Sequence, residues 1–176
     1  MLLGISGSLR EGATNTHLIR EAGRFWADGF EEADIRFPLY DNDLEDQSGL
    51  PEAVERVVDQ IARAEAVVIA TPEYNQSLSG VLKNALDWIS RSKVKPWADK
   101  PVLLMSAAAG RSGGARASYA LRLAMTSFRP RLLTREVLVA GARKEFDENG
   151  HLTSERYAAQ VTESIEALKA EVARAG

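Results

Sequence analysis

The chain has 176 residues with 45% apolar composition, a formal net charge of -3 and no cysteine, which suits one packed domain spanning residues 1–176. The lack of cysteine excludes disulfides, thiolate nucleophiles and zinc knuckles, and the two histidines lie too far apart in sequence to suggest a metal site. Basic residues are scattered and no apolar run approaches about 18 residues, so we expect a cytoplasmic protein without a nucleic-acid or membrane partner.

Short apolar runs alternate with amphipathic segments along the chain. The runs predict strands over Leu2–Ser6, Ala33–Phe37, Ala66–Ala70, Val102–Ala107 and Leu132–Val139. Apolar residues at helical spacing predict helices over Leu18–Trp26, Val54–Ile61, Val81–Ile89, Ala115–Met125 and Val161–Val172. Turn-forming residues predict loops over Tyr40–Gly49 and Ala140–Thr153.

This alternation predicts an α/β fold. Right-handed crossovers between parallel strands place helices on both faces of a doubly wound, five-stranded sheet, and the flavodoxin-like strand order 2-1-3-4-5 is a common solution. Three turns carry the polar chemistry: turn one (residues 7–16), turn two (residues 71–79) and turn three (residues 108–114). Each follows a predicted strand, so all three lie at the carboxyl edge of the sheet, where such folds bind ligands.

Turn one has the glycine spacing of a triphosphate-binding loop without its lysine. Gly7 and Gly12 are five residues apart, but Ala13 stands where the lysine belongs. Backbone N–H groups, hydroxyls and one arginine can still hold a monophosphate at a helix start. The candidate side chains are Ser8, Arg10, Thr14, Asn15 and Thr16. The alternative is that Thr14, Asn15 or Thr16 only caps the helix and Arg10 is solvated.

Turn two begins at a threonine-proline junction. Pro72 keeps Thr71 extended, so the loop after it is shaped rather than a continuation of the strand. Such a loop offers backbone polar groups to the edge of a planar ring, with Tyr74 available to stack on it. In the alternative interpretation Tyr74 packs on the core and Asn75 stabilises the turn.

Turn three satisfies the G-x-S-x-G pattern of serine hydrolases with Ser112 as the nucleophile. Asp147 and His151 follow in the chain order that this pattern expects. Against a hydrolase, the strand ends near Ala107, several residues before Ser112, whereas a nucleophile elbow turns sharply. The other interpretation is a glycine-rich backbone that borders the same ring, with Arg111 near developing negative charge.

The three turns together resemble the NADPH-dependent FMN reductases of flavodoxin-like fold, which include quinone, chromate and azo-dye reductases. The resemblance rests on GSLREGATN at residues 7–15, TPEYNQSLSGVLKNALDW at 71–88 and GRSGGARA at 110–117. The chain departs from the family pattern in three places: family members often have serine at Ala13 or Thr14, proline at Ser79 and serine-proline at Ala108-Ala109.

The resemblance implies two cofactor-binding sets and an oligomer. Ser8, Arg10, Thr14, Asn15 and Thr16 would hold the FMN phosphate. The ring and ribityl chain would lie against Pro72, Glu73, Tyr74, Asn75, Ser77, Ala108, Gly110, Arg111 and Ser112. A homodimer or homotetramer is implied. Aromatic enrichment at interfaces suggests Trp88, Ile89 and Trp97 for its boundary, and the alternative is that these three are core residues.

The reactive atoms must come mainly from a cofactor, because the sequence offers no cysteine, metal cluster or acid/base pair. We expect a ping-pong reaction in which NADPH or NADH passes hydride to flavin N5 and an acceptor then takes it at the same face. Quinones, azo compounds, metal oxyanions or free flavin are the expected acceptors. The alternative is a flavodoxin-type electron carrier, which the near balance of 22 basic and 25 acidic residues disfavours.

Overall fold

Strands and helices alternate in the computed structural model, which describes residues 1–174. Within that range the strands are β1 (Leu2–Ser6), β2 (Phe30–Ala33), β3 (Ala66–Ala70), β4 (Pro101–Ala108), β5 (Arg131–Leu132) and β6 (Val137–Ala140). The helices are α1 (Thr14–Trp26), α2 (Asn42–Ser48), α3 (Glu52–Arg63), α4 (Gly80–Ser90), α5 (Ala115–Met125) and α6 (Glu155–Ala173). Short 3-10 helices cover Thr126–Phe128 and Ala142–Lys144.

The sheet is parallel and runs in the order β2-β1-β3-β4-β5, with β6 also paired to β4. This confirms the predicted flavodoxin-like α/β fold. Alternate side chains of the central strands enter two separate cores. One core packs the sheet against α3, α4 and α5, and the other packs it against α1 and α6.

The strand register brings the three turns to one edge. Ser6 pairs with Ala70, and Ala70 pairs with Met105. β1 and β3 therefore end at the same level, while β4 continues along β6 from Met105 to Ala108 before turn three begins at the same edge.

The second strand was predicted too late in the chain. Its pairing with β1 runs from Phe30 to Ala33 and ends there. Beyond it, the Phe37 N–H donates to the Ile35 carbonyl oxygen in a tight turn. Ile35 is nonetheless fully buried, so its side chain fills the core from a segment whose backbone has left the sheet.

The last predicted strand is two strands. Leu132 pairs with Val102, and Val137 pairs with Met105, so the segment between β5 and β6 is two residues longer than the β4 backbone opposite it. The two additional residues form a bulge at Thr134 and Arg135, which are exposed. Polar residues interrupt the apolar pattern there, and the ladder breaks with it.

A helix lies inside the first predicted loop. In α2 the Asp41 side chain caps the helix by accepting from the Asp43 N–H at 2.9 Å. Glu45 in this helix accepts from the Tyr40 hydroxyl and forms an ion pair with Arg91. The turn formers that predicted a loop include Asp41, which caps the helix, and the acidic residues Asp43 and Glu45 suit its first turn, where negative charge is favourable.

Candidate functional site

Turn one folds into a small hydroxyl cluster at the end of β1. The Gly7 N–H donates to the Ala70 carbonyl oxygen at 2.7 Å, which fastens the turn to β3. The Ser6 hydroxyl oxygen accepts from the Ser8 N–H at 3.3 Å and from the Thr16 hydroxyl at 2.9 Å. Short polar side chains therefore surround the start of α1.

The first turn of α1 has no side-chain cap. Its N-cap residue is Ala13, and Gly12 before it has a φ of +64°. In the part of the chain that the structure describes, the backbone N–H groups of Thr14 and Asn15 have no hydrogen-bond acceptor. The expectation that Thr14, Asn15 or Thr16 serves as the cap is therefore wrong, and the free N–H groups favour an anion.

The side chain of Asn15 is engaged in the interior. Its Nδ2 donates to the Ala107 carbonyl oxygen at 2.9 Å, and its Oδ1 accepts from the Ala107 N–H at 2.9 Å. Both residues are buried. The resemblance implied that Asn15 contacts the phosphate. Because the side-chain amide is bound to Ala107, the backbone N–H of Asn15 is the group that remains for an anion. Its amide joins the start of α1 to the end of β4.

Arg10 supplies a free positive charge beside this cluster. It is exposed, and its guanidinium has no hydrogen-bond acceptor within residues 1–174. Together with Ser6, Ser8 and Thr16 it lines an open cleft of about 590 Å³. The far side of that cleft is formed by the last two residues of β2 and by the three residues that follow it.

Turn two is a tight hairpin turn that presents a tyrosine to solvent. Tyr74 and Ser77 exchange two backbone hydrogen bonds of 3.1 Å. The two residues between them, Asn75 and Gln76, have φ values of +49° and +66°, as a type I′ turn requires. Tyr74 is 56% exposed, so the expectation that it packs on the core is wrong, while Asn75 does stabilise the turn.

The base of turn two is fixed to α5. Thr71 and Pro72 are buried, and Glu73 is largely so. The Glu73 Oε2 accepts from the Arg116 N–H at 3.2 Å, and the Arg116 guanidinium lies 3.5 Å from Oε1. Glu73 therefore binds the first turn of α5, and it links turn two to the helix that follows turn three.

Turn three is an open glycine-rich loop. Ala108 is half-buried, whereas Gly110, Arg111 and Ser112 are exposed. The loop returns to α5 through Gly113 and Gly114, whose φ values are +61° and +85°. The exposed stretch leaves backbone groups available to a ligand at this edge.

Two buried serines hold the turns in place. The Ser79 hydroxyl donates to the Gly7 carbonyl oxygen at 2.6 Å, which joins turn two to turn one. The Ser106 hydroxyl donates to the Thr71 carbonyl oxygen at 2.6 Å, which joins β4 to turn two. Sequence reasoning missed both roles. The available signals were a serine inside the apolar run of β4 and a serine just before a predicted helix.

The side chains of the hydrolase alternative are engaged elsewhere. The His151 Nδ1 lies 2.8 Å from the Glu21 Oε1, and the Asp147 carboxylate accepts from backbone N–H groups of its own turn. Within residues 1–174, no hydrogen bond joins Ser112 to either group. Burial of Glu21 opposes its ionisation, but hydrogen bonds from Arg24 and His151 outweigh it and keep the pKa of the Glu21 carboxyl below its ordinary value. These contacts fasten a hairpin to α1 and form no catalytic triad.

The aromatic cluster suggested for a subunit boundary lies inside the chain's own core. Trp88, Ile89 and Trp97 are at most 2% exposed. The Trp88 Nε1 donates to the Pro38 carbonyl oxygen at 2.8 Å, and the Tyr40 ring packs edge-on at 5.0 Å. These residues stabilise the fold.

None of the helices within residues 1–174 is both long and apolar enough to span a membrane. Nor do the histidine, aspartate and glutamate side chains of those residues form a group of three or more that could hold a metal ion.

Comparison with known proteins gives the family. The model of the NADPH-dependent FMN reductases matches residues 1–144. An NAD(P)H-dependent FMN reductase of Pseudomonas aeruginosa is 42% identical over 98% of this chain and 95% of its own length. A quinone reductase of Escherichia coli is 45% identical over 66% of this chain and 64% of its own length.

A solved structure agrees with these matches. FerB, a flavoenzyme NAD(P)H:(acceptor) oxidoreductase from Paracoccus denitrificans, aligns with a TM-score of 0.87 and 26% identity, covering 98% of this chain and 97% of that one. The resemblance seen in the three turns is thereby confirmed. The chain belongs to the NADPH-dependent FMN reductase family and is an oxidoreductase whose cofactors are FMN and NAD(P)H.

Proposed function

We propose that this chain holds FMN at the carboxyl edge of its sheet and reduces quinones and other small acceptors with NADPH or NADH. The observation that supports this most is the start of α1. There, the backbone N–H groups of Thr14 and Asn15 have no hydrogen-bond acceptor within the described residues, and the hydroxyl cluster of turn one and the exposed side chain of Arg10 line the neighbouring cleft. Such a donor set suits the dianion of a phosphate monoester, while the lysine needed at a triphosphate is absent.

The phosphate end would be held by Ser8, Arg10, Thr14 and Thr16 and by the backbone N–H groups of Thr14 and Asn15. Turns two and three would border the ring. Tyr74 offers an exposed aromatic face there, and the backbone groups of both turns offer hydrogen bonds to a polar ring edge. The residues proposed for this wall are Pro72, Glu73, Tyr74, Asn75, Ser77, Ala108, Gly110, Arg111 and Ser112.

Bound FMN would supply the redox chemistry by taking hydride from NAD(P)H at N5 and passing it to an acceptor in a ping-pong cycle. The chain supplies position and charge. Arg111 is exposed on turn three, where its positive charge would favour negative charge developing at the ring edge. Tyr74 and Arg111 are both exposed, so the ring face between them would stay open and would admit a broad range of acceptors: quinones, azo compounds, metal oxyanions and free flavin.

Anaerobic addition of NADPH or NADH to the FMN-loaded protein tests the proposal. We expect the visible flavin absorption to bleach rapidly and to return when a quinone is added, because one face serves donor and acceptor in turn. Stopped-flow absorbance measures both steps. A loaded protein that does not bleach with either nucleotide would contradict the proposal and favour an electron carrier that is reduced by a protein partner.

Replacing Arg10 with alanine is expected to weaken FMN binding about tenfold, because a charge-assisted hydrogen bond to the phosphate is lost. Stability should change little, since the Arg10 side chain is exposed and unpaired within the described residues. Titration of the apoprotein with FMN measures the affinity, and thermal unfolding of the apoprotein measures the stability.

Arg56→Ala is the matched control for Arg10→Ala. Arg56 is an exposed arginine on α3, outside the three turns. It should leave the FMN affinity unchanged. An Arg10→Ala protein with the affinity of the control would remove the phosphate role assigned to Arg10.

A further inference from the structure

Ser79 occupies the junction of turn two, turn one and α4. It is 1% exposed. Its hydroxyl donates to the Gly7 carbonyl oxygen at 2.6 Å and accepts from the Leu82 N–H at 3.3 Å, and its own N–H donates to the Thr71 hydroxyl oxygen at 3.3 Å. One buried side chain thus connects a helix start with the turn proposed to bind phosphate.

The bond to Gly7 determines how the next peptide group is oriented. A trans peptide is planar, so its C=O and N–H point in opposite directions. With the Gly7 carbonyl held toward Ser79, the Ser8 N–H points the other way, and it donates to the Ser6 hydroxyl oxygen at 3.3 Å. The hydroxyl of Ser79 therefore fixes one donor of the cluster in turn one.

The space around Gly7 reinforces this contact. A Cβ added there would lie 3.1 Å from the Ser79 Oγ and 3.2 Å from the Thr71 Oγ1, so the two turns pack closely. Because the contact is buried, water does not compete with the hydrogen bond.

Serine at position 79 makes this hydrogen bond on a backbone conformation that proline could also adopt. Ser79 has φ -67° and ψ 147°, which are values that proline also adopts. Proline, which the resemblance leads one to expect here, would preserve the chain direction. It has neither the hydroxyl that reaches Gly7 nor the N–H that reaches Thr71.

We propose that Ser79 is a positioning residue for the FMN phosphate, acting through the peptide between Gly7 and Ser8. This inference rests on the proposed FMN site. A positioning role predicts a selective effect on affinity. Substitution of Ser79 should weaken the binding of FMN but not of riboflavin, which has the same ring and ribityl chain without the phosphate.

The test compares Ser79→Ala, Ser79→Pro and Ser79→Thr in the full chain, with FMN and riboflavin titrated into the apoprotein. We expect Ser79→Ala and Ser79→Pro to bind FMN about tenfold more weakly, the effect of losing one buried hydrogen bond, with riboflavin affinity unchanged. Ser79→Thr keeps the hydroxyl and should restore FMN binding. Thermal unfolding of each apoprotein accompanies the titrations, because Ser79→Ala and Ser79→Pro both lose the hydroxyl that caps α4. Proline offsets part of that loss, since its restricted backbone suits the φ and ψ of this position.

Ser90→Ala is the matched control. Ser90 ends the same helix, and its hydroxyl donates to the Asp87 carbonyl oxygen at 2.6 Å, away from turn one. It should leave the ratio of the FMN and riboflavin affinities unchanged. Equal weakening of both ligands in the Ser79 variants, or no weakening of FMN, would overturn the positioning role. Failure of the unmodified protein to bind FMN would instead overturn the proposed function.

Discussion

Replacing Asn15 with leucine is expected to lower the free energy of unfolding by about 3 kcal/mol. Leucine has a similar size but cannot pair with the N–H and C=O of Ala107, which are buried and bound by the Asn15 amide at 2.9 Å each. A buried polar group left without a partner costs about 1–3 kcal/mol. For a chain of this length the melting temperature should fall by about 6–12 °C, which calorimetry measures.

The same change should also weaken FMN binding. The Asn15 amide anchors the start of α1, where the phosphate is proposed to bind, to the strand that leads into turn three. When that anchor is lost, both ends of the proposed cofactor lose a fixed support. Titration of the folded fraction of Asn15→Leu with FMN, below its melting temperature, gives the affinity.

Asn42→Leu provides the control for the Asn15 change. Asn42 is the first residue of α2, much as Asn15 is the second of α1, but it is exposed, and its substitution should alter stability by no more than about 0.5 kcal/mol. If Asn15→Leu were as stable as Asn42→Leu, the pair with Ala107 would contribute little to the fold.

Local patterns in the sequence predicted the strands that position the site. β1 and β3 were predicted with the observed bounds, because five apolar or small residues between turn formers suit a strand buried on both faces. The β2 prediction failed at Ile35, whose side chain is buried although its backbone is not paired with β1. A pattern of apolar residues indicates which side chains are buried, but it does not indicate which backbone groups are paired in the sheet.

The contacts that join the turns were not predictable in this way. Asn15 and Ala107 are 92 residues apart in sequence, and Ser79 and Gly7 are 72 apart. Hydroxyl and amide side chains near a helix start suggest caps or ligand contacts. Which backbone group they reach is decided only when the strands are assembled in register.

Gly114 is a position in turn three where substitution by alanine should be strongly destabilising. Its φ of +85° disfavours a side chain, and an added Cβ would collide with the Ser106 Oγ. That oxygen cannot move freely, because its hydroxyl donates to the Thr71 carbonyl oxygen at 2.6 Å in the interior. Left-handed backbone costs about 1–2 kcal/mol for a residue with a side chain, and the collision adds to it.

We therefore expect Gly114→Ala to lose more than about 3 kcal/mol of unfolding free energy, measured by urea denaturation. Gly80→Ala is the control, because a Cβ there meets no atom within 4 Å, and it should be neutral or slightly stabilising. Ser106→Ala removes the colliding oxygen but also its hydrogen bond to Thr71, so the Gly114→Ala change is compared in the presence and absence of that hydroxyl. It should cost less in the Ser106→Ala background than in the unmodified protein, as coupled neighbours do. An equal cost in both backgrounds would show that backbone strain, and not the contact with Ser106, makes glycine necessary where turn three enters α5.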